Sequence, residues 1–246
     1  MKTGIQISSL KPLLTNPERV TAAFEKMASL GCRYGQLQWI DPSVPIAHIA
    51  ETMAKTRMES LGTQDFYVTV AENFEYYVNL NTATKGIWLT VSRIPERCKS
   101  REGLDVFAAE LTALQQRLAP LGQRVCFHPV TADYTAVPGI SAVEYLLEKL
   151  PWLELCLDLF HLDKNVSDMP GFIRRYAGRI PMAHFKDHRD GTLVPAGQGQ
   201  VRWEGVVRAC LDAGVSYALA EQETWDRDPY LCLEEALDWL HGQIAL

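Results

Sequence analysis

The stretch Leu153-Glu-Leu-Cys-Leu-Asp-Leu-Phe-His161 combines a strongly apolar run with two polar residues at its end. Such a run leaves little room for polar groups and predicts a strand buried on both faces, as in a parallel sheet covered by helices. Asp158 and His161 stand where the run ends. In parallel α/β folds the carboxyl ends of the strands carry the chemistry. This stretch therefore predicts both the fold class and the place of a site.

Three other predicted strands end in the same way. His128 follows Arg-Val-Cys-Phe, His184 follows Ile-Pro-Met-Ala, and Glu221 follows Tyr-Ala-Leu-Ala. Together with Asp158 these residues are separated by 30, 26 and 37 positions, about one strand-helix unit each. On a barrel this spacing places them on consecutive strands that converge over one rim. We therefore interpret the four residues as one site.

The whole chain alternates short apolar runs with longer helical patterns, which is typical of a parallel sheet built from βαβ units. Its 246 residues match the usual size of a single (β/α)8 TIM barrel, so we predict one domain over residues 1–246. The predicted strands are residues 4–8, 34–40, 61–66, 86–91, 124–128, 153–158, 180–184 and 217–221. The predicted helices are residues 16–30, 44–58, 69–80, 101–121, 140–150, 169–177, 203–213 and 229–244.

Composition narrows the class of partner. Hydrophobic residues make up 47% and charged residues 22% of the chain, which is ordinary for a globular protein. A formal net charge of −6 argues against nucleic-acid binding. The six cysteines show no framework spacing, and neither a signal-peptide pattern nor a membrane-spanning run is present. We expect a cytoplasmic protein with a small-molecule substrate and no nucleic-acid or membrane partner, and homo-oligomerisation is possible.

Two imidazoles and two carboxylates suit a divalent transition ion better than Ca²⁺, which prefers oxygen ligands alone. We expect one ion from among Mn, Co, Zn, Fe and Mg, with Mn favoured. Each residue also has a structural alternative. A histidine at a strand end can be a hydrogen-bonded core residue, and Asp158 or Glu221 can cap a neighbouring helix.

The same residues lie in motifs that resemble the second half of the xylose isomerase-like TIM barrels, the group of sugar phosphate isomerases and epimerases that is also similar to AP endonuclease family 2. The motifs are Leu157-Asp-Leu-Phe-His161, Ile180-Pro-Met-Ala-His-Phe-Lys-Asp187, Ala196-Gly-Gln-Gly-Gln-Val-Arg-Trp203 and Ala220-Glu-Gln-Glu223. Gly4-Ile-Gln-Ile-Ser-Ser-Leu10 and Leu30-Gly-Cys-Arg-Tyr-Gly-Gln-Leu37 resemble the first two strands of that family.

The resemblance implies that one divalent ion is bound by four residues, namely His128, Asp158, His184 and Glu221. It also implies that His161 contacts the substrate, and Lys186 beside the metal histidine is a candidate to hold a substrate oxygen. The chain departs from the family at His128, where many relatives have Glu. Of the two carboxylates that shuttle a proton in such relatives, only Glu221 remains.

Further candidates for substrate contact lie at or near the ends of the second and fourth predicted strands, namely Gln38, Trp39, Trp88 and Arg93. Each can equally be a packing or surface residue. Glu223 is either a support for a metal ligand or the start of the last loop. The long segment 185–202 is either functional or a flexible excursion.

The resemblance and the ligand set together favour a metal-dependent isomerase or epimerase of a keto-sugar, polyol or sugar phosphate. Glu221 would remove a proton next to a polarised carbonyl, with His161 and Lys186 acting on the oxygen. A dehydratase of a keto-inositol-like or hydroxy-carbonyl substrate and a non-catalytic sugar-binding barrel remain alternatives. The negative charge and the six histidines disfavour an AP endonuclease.

Overall fold

Eight parallel strands form a closed barrel in the computed structural model, which describes residues 1–245. Around the barrel the strand order is β1-β10-β7-β6-β5-β4-β3-β2. The strands are β1 Lys2–Gln6, β2 Tyr34–Leu37, β3 Glu59–Phe66, β4 Trp88–Ser92, β5 Arg124–His128, β6 Glu154–Asp158, β7 Met182–Phe185 and β10 Tyr217–Ala220. The predicted (β/α)8 barrel is thereby confirmed.

Helices follow the strands on the outside of the barrel. They are α1 Pro17–Ser29, α2 Ile46–Thr56, α3 Tyr67–Glu72, α4 Phe74–Thr84, α5 Arg101–Leu118, α6 Thr131–Tyr134, α7 Ala142–Lys149, α8 Leu159–Asp163, α9 Met169–Arg175, α10 Val206–Asp212 and α11 Pro229–Ile244. In residues 1–245, no helix is both long and apolar enough to cross a membrane.

The local signals in the sequence explain most helix starts. Asn16 caps α1 by accepting a hydrogen bond from the Arg19 amide at 2.9 Å, and Pro17 occupies the first helical position. The single helix predicted over residues 69–80 is wrong. It is two helices, because the backbone of Asn73 leaves helical geometry between α3 and α4 and its side chain donates to the Thr69 carbonyl.

One glycine sets which side chains of β3 face the barrel interior. Pairing between β2 and β3 shifts register by one residue at Gly62, which has φ 141. A Cβ there would lie 1.8 Å from the Trp88 carbonyl oxygen, so only glycine fits. Such a bulge interrupts the two-residue alternation of a strand. Leu61 and Gln64, three positions apart, therefore both contact the interior.

Apolar side chains fill the amino-terminal end of the barrel. Trp88, the first residue of β4, packs there in a cluster with Leu61, Cys126, Cys156, Met182 and Leu219. Its indole N–H donates to Glu154 at 2.8 Å. Of the two alternatives for Trp88, packing is therefore the correct one, because this residue begins its strand, at the end of the barrel opposite the ligand group.

Residues 185–202 are not a simple loop. They contain an antiparallel hairpin of β8 Asp187–Arg189 and β9 Thr192–Val194. The buried Asp187 carboxylate accepts five hydrogen bonds at 2.8–3.1 Å, from the backbone amides of His188, Gly197, Gly199 and Val201 and from the Trp203 indole. One carboxylate thus holds the segment against the end of β7 through five hydrogen bonds.

Candidate metal centre

The four predicted ligands meet at the carboxyl end of the barrel. Each offers one ligand atom, and these atoms all lie within 4.8 Å of one another in a fully buried group of His128, Asp158, His184 and Glu221. The first two end β5 and β6, the third lies within β7 and the fourth directly follows β10. Asp158 and His184 are direct partners in the pairing of β6 with β7. The short distances among the four ligand atoms show that all four side chains point into the same space.

Distances within the group fit a shared cation. His184 Nδ1 lies 3.1 Å from Glu221 Oε2 and 3.2 Å from His128 Nε2, which is itself 3.8 Å from Asp158 Oδ2. Asp158 Oδ2 and Glu221 Oε2 are buried and accept no hydrogen bond, and the cation beside them is the single Lys186 ammonium, 3.3 Å from each. A buried carboxylate oxygen left in this state carries a large desolvation cost. A divalent ion between these atoms would remove that cost, so the residues present fit a metal.

The two carboxylate oxygens of Asp158 have different surroundings. Oδ1 accepts hydrogen bonds from the backbone amides of Phe160 at 2.8 Å and His161 at 3.1 Å, and so caps α8. Oδ2 faces the ligand group. The helix-capping alternative is thus correct for one oxygen, while the other stays available to an ion.

Protonation states also suit metal binding. Burial and the neighbouring His184 lower the pKa of His128 to about 3, which leaves its imidazole neutral at physiological pH. Burial raises the pKa of Asp158, but His161 and Lys186 lower it by more, so the net pKa is below the usual value. For Glu221, Lys186 and His184 likewise outweigh burial and bring its pKa well below the usual value. Both carboxylates are therefore ionised at neutral pH.

Lys186 contributes a buried cation beside the ligands. Its Nζ lies 3.3 Å from both Asp158 Oδ2 and Glu221 Oε2, and it donates to Glu223 Oε1 at 2.7 Å. Burial alone lowers the pKa of Lys186, but the charges of Glu221, Asp158 and Glu223 raise it above the usual value. The ammonium is therefore charged at neutral pH and contacts the same two oxygens that would bind the ion.

Glu223 is part of the site, because it contacts Lys186 beside the ligand residues. It lies two positions after Glu221, beyond the end of β10, and its Oε2 is buried without a hydrogen-bond partner. Burial and the charge of Glu221 raise the pKa of Glu223 to about 7. The two-residue spacing was the available signal for this residue.

A cavity of about 720 Å³ opens above the ligand group. His161, Lys186, Glu223 and Arg93 all line it. The His161 Nε2 lies 3.6 Å from Asp158 Oδ2, and its Nδ1 shares a hydrogen bond of 2.8 Å with the Thr131 hydroxyl. The structure thus brings two of the predicted catalytic residues and one predicted substrate contact to a single cavity beside Glu221.

Gln38 and Trp39 lie elsewhere on the rim. They line a neighbouring cavity of about 480 Å³ whose wall includes neither His161 nor Lys186. Trp39 and Arg93 both adopt left-handed backbone conformations, with φ 56 and φ 64. Non-glycine residues held in this region cluster at functional sites. Phe66 lies between them, with its ring 6.1 Å from that of Trp39 and 4.1 Å from the Arg93 guanidinium.

Solved structures with the same architecture include several sugar enzymes. A sugar phosphate isomerase/epimerase from Parabacteroides distasonis ATCC 8503 matches with a TM-score of 0.81 and 13% identity, over 99% of this chain and 94% of that one. An L-ribulose 3-epimerase matches with a TM-score of 0.80 and 15% identity, over 100% and 95%. The IOLI protein with a bound zinc atom matches with a TM-score of 0.78 and 14% identity, over 100% and 98%.

No curated protein matches the chain by sequence. A family model described as the xylose isomerase-like TIM barrel matches residues 56–243, which include all four ligand residues. This match covers well over half of the chain, and the closed barrel agrees with it. The chain belongs to the xylose isomerase-like TIM barrel family.

Proposed function

We propose that this protein is a divalent-metal-dependent isomerase or epimerase of a small keto-sugar, polyol or sugar phosphate. The observation that carries the proposal is the pair of buried oxygens of Asp158 and Glu221, which accept no hydrogen bond, share one lysine cation and face two imidazole nitrogens beneath an open cavity. The sugar isomerases and epimerases among the structural neighbours support it.

Four residues would hold the ion, namely His128, Asp158, His184 and Glu221. A mixed set of nitrogen and oxygen ligands suits Mn²⁺, which we favour, as well as Co²⁺, Zn²⁺, Fe²⁺ or Mg²⁺. When bound, the ion supplies Lewis acidity that polarises a substrate carbonyl.

The chain's own residues would move the proton. Glu221 is ionised and accepts a hydrogen bond from the Ser8 hydroxyl through its Oε1 at 3.2 Å, which orients the carboxylate. It would take the proton from the carbon next to the carbonyl. Lys186 and His161, at the cavity floor, would donate hydrogen bonds to the oxygen that gains charge.

Dehydration is the second candidate reaction, since it begins with the same proton removal. The pair of Lys186 and Glu223, 2.7 Å apart, favours it because the pair places a proton donor beside Glu221, where a leaving hydroxide could be protonated. His128 stands where many relatives carry a second carboxylate base, which weakens an epimerisation that needs two carboxylates.

The first test is the metal content of protein purified without chelator or histidine tag, in wild type and His184→Ala. We expect about one ion per chain in wild type and an affinity weaker by roughly 10²–10³-fold in the variant, since each ligand carries a sizeable share of the binding energy. His48→Ala is the matched control, because His48 bonds Thr21 and Pro17 on the outside of the barrel.

Turnover then decides between an enzyme and a binding protein. Metal-loaded protein would be incubated with keto-sugars and inosose-like compounds in deuterated water, and exchange at the carbon next to the carbonyl would be followed. An isomerised or epimerised product that carries deuterium at this carbon indicates an isomerase or epimerase. A product that has lost water indicates a dehydratase. Absence of metal after reloading would make the four residues structural, and metal without any turnover would indicate a sugar-binding barrel.

Arg93 offers a separate test of substrate binding. The described residues give it no carboxylate partner, and its guanidinium stacks on Phe66 at the cavity wall. We propose that it binds a substrate oxygen. Arg93→Gly should raise KM about tenfold or more with kcat little changed, because a hydrogen bond to a charged group is lost in ground and transition states alike. Glycine accepts φ 64 without strain, so unchanged KM in this folded variant would refute the assignment.

A further inference from the structure

A layer of buried amides lies directly beneath the metal-binding group. Gln36 on β2 is fully buried, and its Oε1 lies 2.6 Å from Nε2 of His184. The same oxygen accepts from Gln6 Nε2 at 3.0 Å, while Gln36 Nε2 donates to the Thr90 hydroxyl at 2.9 Å. The amide is therefore fixed from three sides, with its oxygen directed at the imidazole.

A carbonyl oxygen accepts hydrogen bonds and cannot donate them. Cys156 Sγ also lies 3.1 Å from Nε2, but the carbonyl oxygen at 2.6 Å is closer and requires that this nitrogen of His184 carry the proton. In a neutral imidazole the lone pair then resides on Nδ1. That atom is the one that lies 3.1 Å from Glu221 Oε2 and 3.2 Å from His128 Nε2, inside the ligand group.

We infer that Gln36 is a positioning residue that selects the Nε2–H tautomer of His184 and so presents Nδ1 to the ion. The inference rests on the proposed function, because it assigns the support of the same metal site. It also gives a role to the amide on β2. An acceptor behind a ligating histidine fixes the ring and raises its basicity, and its loss typically weakens metal binding 10–100-fold.

Metal affinity tests this role without reference to activity. Competition of Zn²⁺ between the protein and a chromophoric chelator should give a dissociation constant 10–100-fold higher for Gln36→Leu than for wild type. Gln36→Glu should bind at least as tightly as wild type, since a carboxylate also accepts from Nε2. Gln64→Leu is the matched control, because Gln64 is buried in the same layer and contacts Gln38 and Cys156 but not His184.

An unchanged affinity in Gln36→Leu, an equal loss in Gln64→Leu, or a loss in Gln36→Glu as large as in Gln36→Leu would each overturn the inference. If a variant does not fold, a measurement on the wild-type protein still tests the inference. Nitrogen-15 histidine spectra of metal-free and Zn²⁺-loaded protein should show His184 with a proton on Nε2, and an Nε2 without a proton in either state would overturn the inference. If wild type binds no ion, the proposed function fails, and the metal-free spectrum still decides the tautomer.

Discussion

Glu221→Gln should remain inactive even when the metal site is saturated. The substitution removes a ligand and also the base, because an amide does not accept a proton at neutral pH. We expect kcat at saturating Mn²⁺ to fall by roughly 10²–10⁴-fold, the usual contribution of a positioned general base. The Ser8 hydroxyl can still donate to the amide oxygen in place of Oε1, so the fold should be retained. The measurement is kcat as a function of Mn²⁺ concentration, with the rate obtained from proton exchange with the solvent.

Asp158→Asn is the matched variant for this experiment. Its amide oxygen can still cap α8, but an NH₂ group replaces the Oδ2 that faces the ion. We expect weaker metal binding by a similar factor and a kcat that recovers as the metal concentration rises. Equal recovery in Glu221→Gln would show that another group in the cavity, His161 or Glu223, is the base.

Asp187→Asn should be the most destabilising single change in the segment 185–202. The carboxylate accepts five hydrogen bonds, and an amide would turn an NH₂ group toward donors of the same kind, such as the Trp203 indole. Each hydrogen bond to a charged group contributes about 1.5–3 kcal/mol, and the amide leaves some of these buried donors unsatisfied, so we expect a loss of about 3 kcal/mol or more. Urea unfolding followed by circular dichroism should report a loss of that size in the free energy of unfolding.

Asp190→Asn is the control for that comparison. Asp190 lies at the exposed tip of the same hairpin, where its side chain accepts from Gln200 at 3.1 Å. Its φ of 51 is a conformation that asparagine tolerates well. A surface change of this kind should alter stability by less than about 0.5 kcal/mol. Similar losses in both variants would mean that Asp187 does not anchor the segment.

The barrel and the ligand group could be predicted because both follow from short-range patterns. The run ending at Asp158 is apolar on both faces, and strand β5 and helix α11 have the predicted bounds. Two-residue alternation then determines which side chains enter the interior. Lys186 and Glu223 lie two positions beyond His184 and Glu221, just past the ends of β7 and β10, and they also reach the ligand group.

The features that the sequence did not reveal depend on contacts between distant or very short elements. The β8–β9 hairpin has strands of three residues each, too short for a hydrophobic period, and Asp187 fixes it through donors up to sixteen positions away. Gln38 and Trp39 were predicted as substrate contacts at or near the end of the second strand. Strand β2 ends at Leu37, before these residues, and the left-handed Trp39 directs the chain toward the neighbouring cavity.

All four ligand residues come from strands β5 to β10, the second half of the chain, while Arg93 and the Gln36 amide come from the first half. The second half therefore supplies every predicted ligand, while the first half supplies one wall of the cavity and the amide behind His184. Changes in the loops that follow β1 to β4 can reshape what the cavity admits without removing a ligand. A designer seeking a new substrate would randomise the rim of the first half, and one seeking a new metal would alter the second.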